Sequence, residues 1–531
     1  MNDQNPAKNY FDLPSAVLLR PLIVFQSLQQ FLQGQVFQYR NFLGSPINNW
    51  QQYLLGWFVQ DDIRLSRRLT INLGIRHEFT TDPNDVHGRS ADLRNFSDAN
   101  VTVGPLFETS KKAFEPRVGL AWDVFGNGKT AVRAGAGVYN EQLTPSVNHY
   151  ALFGVYPFVR SFSIFNPGSI VLDPNNLPPL GFAPLAFEYN AKLPTRYQWS
   201  LNVQQQISEG TTLSVAYVGA RSTHLETRLD VNPFVPVIQP DGTKFFPASG
   251  LQRQNPAWGD FNGFKWNGMG YYQSLQVNVI RRLSRGLQFQ GAYTYSKDID
   301  LVSNTFNGSV TLNGNNGVKD PGNLAGERAL SSNDLRHLLT ANITYDLPFG
   351  SNLEGIAKKL VGGWQVGGLL TFHTGLPFDL QDGFSRSRDG QGGGDDRPNL
   401  APGASSNPTS GVTAGCTGVA AGQRLGSPTL YFDPCAFQLQ PAGTYGNLGR
   451  NTVIGPSEAD IDMMLTKSFA VSERANLEFR TEAFNLFNHP NFGNFTRTLF
   501  LPSGARNGSA GHFTNTLTPS RQIQFGLKLT F

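Results

Sequence analysis

The sequence predicts an all-β fold, an antiparallel transmembrane β-barrel of the outer-membrane type with about 14 strands in this chain. Three observations predict it. Successive segments alternate apolar and polar residues with a period of two. The connections between these segments are alternately short and long. Charged residues make up only 15% of the chain, although the mean hydropathy is −0.28, as expected for strands between lipid and a wet lumen.

Composition excludes two other classes of protein. The sequence has no uninterrupted apolar run near the roughly 20 residues that a membrane-spanning helix needs. The formal net charge of +4 is small for 531 residues and does not indicate a nucleic-acid-binding protein. The 56 glycines and 40 phenylalanines are compatible with a large β-sheet.

The last stretch, RQIQFGLKLTF, shows the alternation most clearly. One face of this strand carries only apolar side chains, and the other carries Gln522, Gln524, Gly526, Lys528 and Thr530. The apolar face consists of Ile523, Phe525, Leu527, Leu529 and Phe531. A terminal aromatic residue of this kind resembles the closing strand of outer-membrane barrels, where it is part of the signal read by the barrel-assembly machinery.

The earlier strands follow from the same pattern. Residues 1–30 are expected to be irregular and to lack a convincing signal peptide, because Asp3 and Asp12 precede the first apolar segment and Arg20-Pro21 interrupts it. The barrel is expected over 31–531. The predicted strands are 31–42 (a weak candidate), 49–66, 68–81, 113–125, 129–140, 195–207, 211–229, 271–283, 287–297, 335–347, 363–377, 460–470, 476–487 and 521–531.

The connections between these strands predict how the barrel is oriented. Short links such as Asn127-Gly128, a strong hairpin signal, alternate with long polar loops, of which 378–455 is the longest. Outer-membrane barrels have short periplasmic turns and long extracellular loops. A propeller or a sandwich has no reason to preserve this alternation through so many hairpins.

Aromatic and histidine side chains on the strands allow two further expectations. The aromatic residues near strand ends are expected to form the girdles of the two membrane interfaces, with ordinary β-core aromatics as the alternative. These residues are Tyr139, Tyr197, Trp199, Tyr217, Trp364 and Phe372. His77, His337 and His373 are expected on the lumen wall, and Glu327-Arg328 is expected to be polar groups of a turn, rim or lumen.

The longest loop contains both cysteines and one acidic cluster. Cys416 and Cys435 are in no metal-binding pattern, and we expect a disulfide, with two free thiols as the alternative. Asp389, Asp395 and Asp396 lie in a Gly-rich stretch and form a weak calcium candidate that lacks EF-hand spacing; a flexible loop is the alternative. The sequence has no catalytic motif of the common hydrolases, zinc proteases or nucleotide-binding enzymes, so we expect neither an enzyme nor a cofactor.

Several motifs resemble one family. NLEFRTEAFNLFNHPNFGN (476–494) is very similar to the penultimate-strand signature of TonB-dependent receptors that resemble the Oar protein of myxobacteria and acidobacteria. WFVQDDIRLSRRLTINLGIRHEF, NDLRHLLTANITYDLPFG and GWQVGGLLTFHTGLPF also look like strands of that family, in the same order. The resemblance implies a barrel of about 22 strands filled by an N-terminal plug, so about eight strands are expected outside this chain.

The leading hypothesis is therefore the C-terminal part of a TonB-dependent receptor that takes up a bulky nutrient such as a siderophore or an oligosaccharide. Its expected partners are outer-membrane lipid, the barrel-assembly machinery and an unknown extracellular ligand. TonB is expected as a partner only if a plug and a TonB box precede this chain. A smaller closed barrel, an adhesive or structural surface protein without transport, and a soluble β-rich binding module are the alternatives.

Overall fold

A computed structural model describes residues 22–25, 28–44, 49–143, 156–165, 186–259, 261–303, 318–350, 352–390, 396–472 and 475–531. In these residues, thirteen long strands form one antiparallel sheet. The strands are β1 Leu54–Arg64, β2 Leu69–Thr80, β3 Phe114–Asp123, β4 Thr130–Asn140, β5 Thr195–Ser208, β6 Thr211–Asp230, β7 Asn262–Ser284, β8 Leu287–Asp300, β9 His337–Asp346, β10 Trp364–His373, β11 Glu458–Ala470, β12 Asn476–Phe484 and β13 Gln522–Thr530.

Each long strand pairs with its neighbours in the chain, so the sheet is a continuous meander from β1 to β13. Within the described residues, β1 and β13 are the two ends of this path and do not pair with each other. Because each strand is antiparallel to the next and their number is odd, β1 and β13 run in the same direction.

The register separates an apolar face from a polar face across the whole sheet. Leu73, Val118, Ala136 and Trp199 lie opposite one another on β2 to β5. One position along, Asn72, Gly119, Gly135 and Ser200 form the adjacent row on the other face. The apolar rows remain exposed in the structure, as expected for a surface that faces lipid.

A glycine in one apolar row is required by its neighbour. A Cβ atom on Gly219 of β6 would lie 2.4 Å from the indole of Trp199, its cross-strand partner on β5. Glycine at this position therefore provides space for the Trp199 ring on the apolar face.

The alternation of connections agrees with the sequence prediction. The links 65–68, 124–129, 209–210, 285–286, 347–363 and 471–475 join the strands at one end of the sheet. The long loops 81–113, 141–194, 231–261, 301–336, 374–457 and 485–521 join them at the other. In the turn 124–129, the Asp123 carboxylate accepts hydrogen bonds from the Gly126 and Gly128 amides at 2.9 and 3.0 Å. Both glycines have positive φ, the left-handed conformation that favours glycine.

Short elements decorate the long loops. Helix α1 spans Leu28–Leu32, helix α2 spans Gly355–Val361, and 3₁₀ turns span Leu324–Glu327 and Pro434–Ala436. Among the described helices, none is long and apolar enough to cross a membrane, which says nothing of crossing by strands. The paired short strands are Leu22–Val24, Gln38–Gly44 and Val159–Phe165 in one sheet; Trp50–Gln51 with Asn84–Asp85; Ala91–Asp92 with Thr102–Val103; Glu108–Thr109 with Asn190–Ala191; Ala186–Phe187 with β7; Val237–Ile238 with Lys244–Phe245; Ala329–Leu330 with β8; Pro377–Phe378 with Val453–Ile454; Gln381–Asp382 with Thr498–Phe500; and Asn399–Leu400 with Phe437–Gln438.

The weak strand predicted over 31–42 is not a barrel strand. Its first residues belong to helix α1, and its last residues to Gln38–Gly44, which pairs with Leu22–Val24 and Val159–Phe165 rather than with the long sheet. The other thirteen predicted strands each match one long strand.

The hydrophobic core of the described chain lies in the long loops rather than in the sheet. The largest cluster joins loops 374–457 and 485–521, and two smaller clusters lie between loops near β4 to β8. A barrel wall with lipid outside and water inside has no dry centre of its own, so burial is left to the loops.

Candidate functional site

Three extracellular loops, 301–336, 374–457 and 485–521, fold together into a body that we call the cap. Its core is aromatic: Phe378 and Phe495 approach to 4.4 Å between ring centroids, and Phe432 lies 5.6 Å from Phe495. Phe437 and Val453 are also fully buried in this cluster. Burial of this many side chains makes loops 374–457 and 485–521 one packed unit.

A buried ion pair connects loop 301–336 to the cap. The Arg397 guanidinium donates to both carboxylate oxygens of Glu327, at 2.5 Å for Oε1, and both side chains are almost fully buried. The backbone amide of Lys319 also donates to Glu327 Oε1 at 3.2 Å. Lys319 itself donates through Nζ to the Gly446 carbonyl at 2.7 Å, and burial lowers the pKa of its ammonium group.

A second buried arginine attaches the cap to the rim of the sheet. Arg450 donates to the Asp300 carboxylate at the end of β8 and to the Ser303 hydroxyl at 2.8 Å. Its Nε donates to the Glu327 carbonyl at 3.1 Å. Asp379, which is buried next to Arg397, Arg450 and Arg497, has its pKa raised by burial, against the opposing effect of these arginines. Because buried charges need partners, these contacts fix the cap in one position over the sheet.

Cys416 and Cys435 form a disulfide in loop 374–457, with Cα atoms 5.6 Å apart. The Asp433 carboxylate accepts from the Cys435 amide at 2.9 Å and from the Ala414 amide at 2.8 Å, so it holds both sides of the bridge. The bridge joins two positions of the cap that are 19 residues apart in the sequence.

We expect replacement of both cysteines by serine to destabilise residues 405–435 by about 2 kcal/mol, because the reduced segment gains loop-closure entropy when it opens. Hydrogen exchange of that segment checks this result. The double variant Cys416→Ser with Cys435→Ser and the reduced native chain should behave alike, while exchange of the β5–β6 hairpin should stay unchanged. Equal exchange in the oxidised and reduced chains would contradict the prediction.

The predicted acidic cluster lies inside the cap. Asp389 accepts a hydrogen bond from the Tyr445 hydroxyl at 3.0 Å, and Asp396 accepts from the Arg386 and Ser387 amides, each at 2.5 Å. Asp395 lies outside the described residues. No three acidic, histidine or cysteine side chains of the described segments are arranged to hold a metal ion. The calcium site therefore remains a prediction, and Asp389 and Asp396 have protein partners.

A fourth carboxylate in this region, Asp382, was not singled out in the sequence. It is fully buried, and neither of its oxygens has a hydrogen-bond partner. Gln440, also fully buried, lies next to it but outside hydrogen-bond geometry. Burial, with a smaller contribution from the nearby Asp396 charge, raises the pKa of Asp382 to about 7.

This raised pKa predicts that the cap loses stability as pH rises. Between about pH 4 and 7 the folded state binds the Asp382 proton and the unfolded state does not, so the free energy of unfolding falls with increasing pH through that window. We expect Asp382→Asn to stabilise the cap by about 2–4 kcal/mol more at pH 8 than near pH 4, because the amide carries no charge to bury and each unit of pKa shift is worth about 1.4 kcal/mol. Hydrogen exchange at both pH values, corrected for intrinsic rates, is the measurement. A variant that is no more protected at pH 8 than the native chain would contradict it.

The polar face below the cap is uncharged in its middle. One row crosses β5 to β10 through Gln204, Ser214, Asn278, Ala292, Thr340 and Thr371 without a charge. Charged side chains lie at both ends of the sheet. Arg76, Arg117 and Arg133 stand on β2 to β4, and Asp460, Asp462 and Glu482 on β11 and β12. Amides and hydroxyls both donate and accept hydrogen bonds, so this wall suits a hydrated, polar surface.

Two cavities open among the extracellular loops. One, of about 450 Å³, lies between loops 81–113 and 141–194 and is lined by Glu108, Lys112, Lys192 and His224 among others. His224 has a positive φ of 57° at a bulge of β6. The other cavity, of about 710 Å³, lies in the cap beside the disulfide, between Thr417–Pro434 and Phe500–His512. Both are lined mainly by residues of the long loops.

Three of the predicted positions lie on the opposite face from the one expected. Tyr139 shares the polar face with Arg117, whose guanidinium lies 4.5 Å from its ring, so it is not a girdle residue. His77 stacks on Phe114 at 4.3 Å between ring centroids, and His337 lies opposite Tyr295; both are in apolar rows at the extracellular rim. Only His373 of the three histidines faces the lumen, where it pairs with Glu458 at 3.0 Å. The remaining predicted girdle residues are in apolar rows: Tyr197, Trp199, Tyr217, Trp364 and Phe372.

Glu327 also differs in part from the sequence expectation. It lies in the 3₁₀ turn Leu324–Glu327, as the sequence predicts for a turn residue, but it is buried in an ion pair with Arg397, which the sequence does not predict. Glu327 and Arg397 are 70 residues apart, and no local pattern links them.

The apolar residues of the last strand lie along one face of β13, which is an edge strand of the described sheet. Ile523, Phe525, Leu527 and Leu529 lie opposite Ala483, Thr481, Phe479 and Leu477 of β12, and Phe531 follows the strand. They are exposed in the structure, as a lipid-facing row should be. Their role in assembly stays a prediction.

Comparison with known proteins agrees with this architecture. The family model "Outer membrane beta barrel domain" matches residues 5–524, almost the whole chain, and the chain belongs to that family of outer-membrane β-barrels. The protein is located in the outer membrane, and this excludes the alternative of a soluble β-rich binding module. None of the curated proteins compared with the chain matches it.

Several solved structures are similar to this chain. The outer membrane transporter YddB of Escherichia coli is 10% identical, with 90% of this chain and 45% of that protein covered and a TM-score of 0.46. The siderophore receptor PiuA of Acinetobacter baumannii is 9% identical, with 93% and 44% covered and a TM-score of 0.43. The ferric enterobactin receptor PfeA of Pseudomonas aeruginosa is 10% identical, with 93% and 50% covered and a TM-score of 0.43. The chain spans about half the length of these structures.

Proposed function

We propose that this chain is the C-terminal part of the barrel of a TonB-dependent receptor of the Oar-like type, which imports a bulky nutrient through the outer membrane. The nutrient class is a siderophore, an oligosaccharide or a molecule of similar size. The proposal assigns no catalytic chemistry to the chain. TonB would act on a plug supplied by polypeptide that precedes this segment.

The open sheet is the observation on which this proposal mainly rests. Each unpaired backbone group in lipid costs several kcal/mol, so both sheet edges need partners. Because β1 and β13 run in the same direction, an antiparallel closure needs an odd number of additional strands. Any barrel with an even number of strands, such as one of about 22, leaves an odd number outside these thirteen, whereas direct closure of the thirteen strands would need a parallel pair.

The cap and the polar wall support a role in ligand uptake. A packed extracellular body with concave cavities can bind a large molecule, as binding residues concentrate on loops held by a rigid scaffold. The uncharged middle of the polar face would let a plug or a hydrated solute contact the wall without desolvating charges.

Growth under nutrient limitation tests the proposal. Cells that carry the complete receptor gene would be compared with cells that lack the gene, lack TonB, or carry a receptor without residues 385–450. We expect one nutrient class, among ferric siderophores, cobalamin and oligosaccharides, to support growth only when the receptor, TonB and the cap segment are all present. The truncated receptor should still reach the outer membrane, as checked by surface labelling.

A different result would contradict uptake. If loss of the receptor changes attachment to surfaces or cells but uptake of every nutrient class remains equal with and without TonB, the chain is an adhesive or structural barrel.

Cross-linking tests separately whether the thirteen strands close on themselves. Covalent cross-links between cysteines at the β1 and β13 edges would show that the thirteen strands close on themselves.

A further inference from the structure

The turn between β9 and β10 differs from the other short turns. Residues 347–363 contain helix α2, whereas no other short turn contains a helix in its described residues. No residue of α2 is buried. A helix of this length is not stable by itself in water, and the apolar side chains of α2 have no cover within the described protein.

The exposed side chains of this turn separate into two faces. Ile356 and Leu360 are four residues apart and share one face of α2, while Leu353 precedes the helix and Val361 is its last residue. Ile356 is 77% exposed and Leu360 is 62% exposed, and Phe349 beside them is 57% exposed. Glu354, Lys358 and Lys359 lie on the remaining arc, away from this apolar face.

Two contacts place the end of α2 on the outer surface of the sheet. The Trp364 indole donates to the Leu360 carbonyl at 3.4 Å, and the Lys467 ammonium donates to the Gly362 carbonyl. Trp364 and Lys467 lie opposite each other in an apolar row, which continues as Val366 and Leu465. The helix end is therefore attached to the lipid-facing side of the wall, not to the lumen.

We propose that α2 is an interfacial anchor that lies in the headgroup layer of the periplasmic leaflet. Its apolar face, Ile356 and Leu360 with the nearby Phe349, enters the acyl boundary, and Lys358 and Lys359 meet phospholipid phosphates. This arrangement continues the lipid-facing surface of the sheet into the headgroup region.

Charge complementarity supports a phospholipid occupant. The short turns carry more basic than acidic side chains: Arg67, Arg68, Lys129, Arg285, Lys358 and Lys359 against Glu209 and Glu354 in 65–68, 124–129, 209–210, 285–286 and 347–363. Each such cation favours binding of the turns to an anionic lipid surface. The long apolar stem of a lysine can lie in the acyl layer while its ammonium group reaches the headgroup phosphates.

Spin labels at single cysteines test the anchor in the full chain. The two native cysteines are in a disulfide, so Ile356→Cys, Leu360→Cys and Lys358→Cys each give one free thiol. Leu201→Cys on the apolar face of β5 is the bilayer reference, and Glu209→Cys in another turn is the water reference. The complete receptor that carries this chain is studied in vesicles of phosphatidylethanolamine and phosphatidylglycerol, so that both sheet edges are paired, with oxygen as the apolar relaxant and a water-soluble nickel chelate as the polar one.

We expect the oxygen-to-nickel accessibility ratio at positions 356 and 360 to be several-fold higher than at 358 and 209, and lower than at 201. A ratio at 356 and 360 equal to that at 209 would place the helix in water and overturn the proposal. Protection of 356 and 360 from both reagents would also overturn it, because the helix would then pack on protein. If the label at 201 is itself in water, the anchor fails together with the membrane assignment.

Discussion

An arginine in place of Leu201 is expected to destabilise the membrane-inserted sheet by about 2–4 kcal/mol, because the charge would lie near the middle of the bilayer. Leu201 is in the central part of β5, and its cross-strand neighbours Ala134 and Tyr217 are also in apolar rows. Its side chain is 48% exposed, so it has no protein core to lose, and the effect would come from lipid alone.

The adjacent residue provides a matched control. Ser200 lies one position away on the same strand but on the polar face, opposite Gly135 and Val218. Ser200→Arg should change stability by less than about 1 kcal/mol, since its guanidinium reaches water. Guanidinium-induced unfolding of the complete receptor in lipid vesicles, followed by tryptophan fluorescence, measures both variants. Equal losses for the two arginines would show that the faces are not lipid and lumen.

The sheet could be predicted from the sequence because its signal is local. Period-two alternation fixes the face of each residue within one strand, and the turn chemistry fixes the hairpins. The same rule explains two wrong expectations. Counting by twos from Ile75 and Leu339 puts His77 and His337 in apolar rows, but their polar chemistry suggested the lumen. The same count from Arg133 puts Tyr139 on the polar face of β4, although its aromatic ring near a strand end suggested a girdle.

The cap could not be predicted for the opposite reason. Its contacts join residues far apart in the sequence: 70 positions for Arg397 with Glu327 and 150 for Arg450 with Asp300. Its buried aromatic residues follow no helical or strand period, because short strands and irregular turns carry them. A Gly- and Pro-rich loop of this length would ordinarily be assigned as flexible from composition. The sequence feature that does indicate a packed loop is its aromatic content, for example Tyr431-Phe432 and Phe437 near the cysteines.

The charges buried in the cap have a consequence for how the loops move. Apolar contacts are not directional and allow two loops to shift relative to each other. A buried ion pair, in contrast, has one low-energy geometry. Since Arg397 and Arg450 connect loop 374–457 to loop 301–336 and to the end of β8, we infer that these parts of the cap move together or not at all. Opening of the cap would then depend on whether these pairs break.

Replacing Arg397 by Met is therefore expected to destabilise the closed cap by about 3–5 kcal/mol, because Glu327 would be left buried without its main counter-charge. Protection of loop 301–336 from hydrogen exchange should fall together with that of loop 374–457. Lys244→Gln is the control: Lys244 pairs with Asp320 at 2.7 Å at a more exposed site, and its loss should cost less than about 1 kcal/mol. The double variant Glu327→Met with Arg397→Met separates charge from packing, since it removes both charges and should recover most of the lost protection. If the double variant is as unprotected as Arg397→Met alone, the uncompensated charge of Glu327 is not the cause.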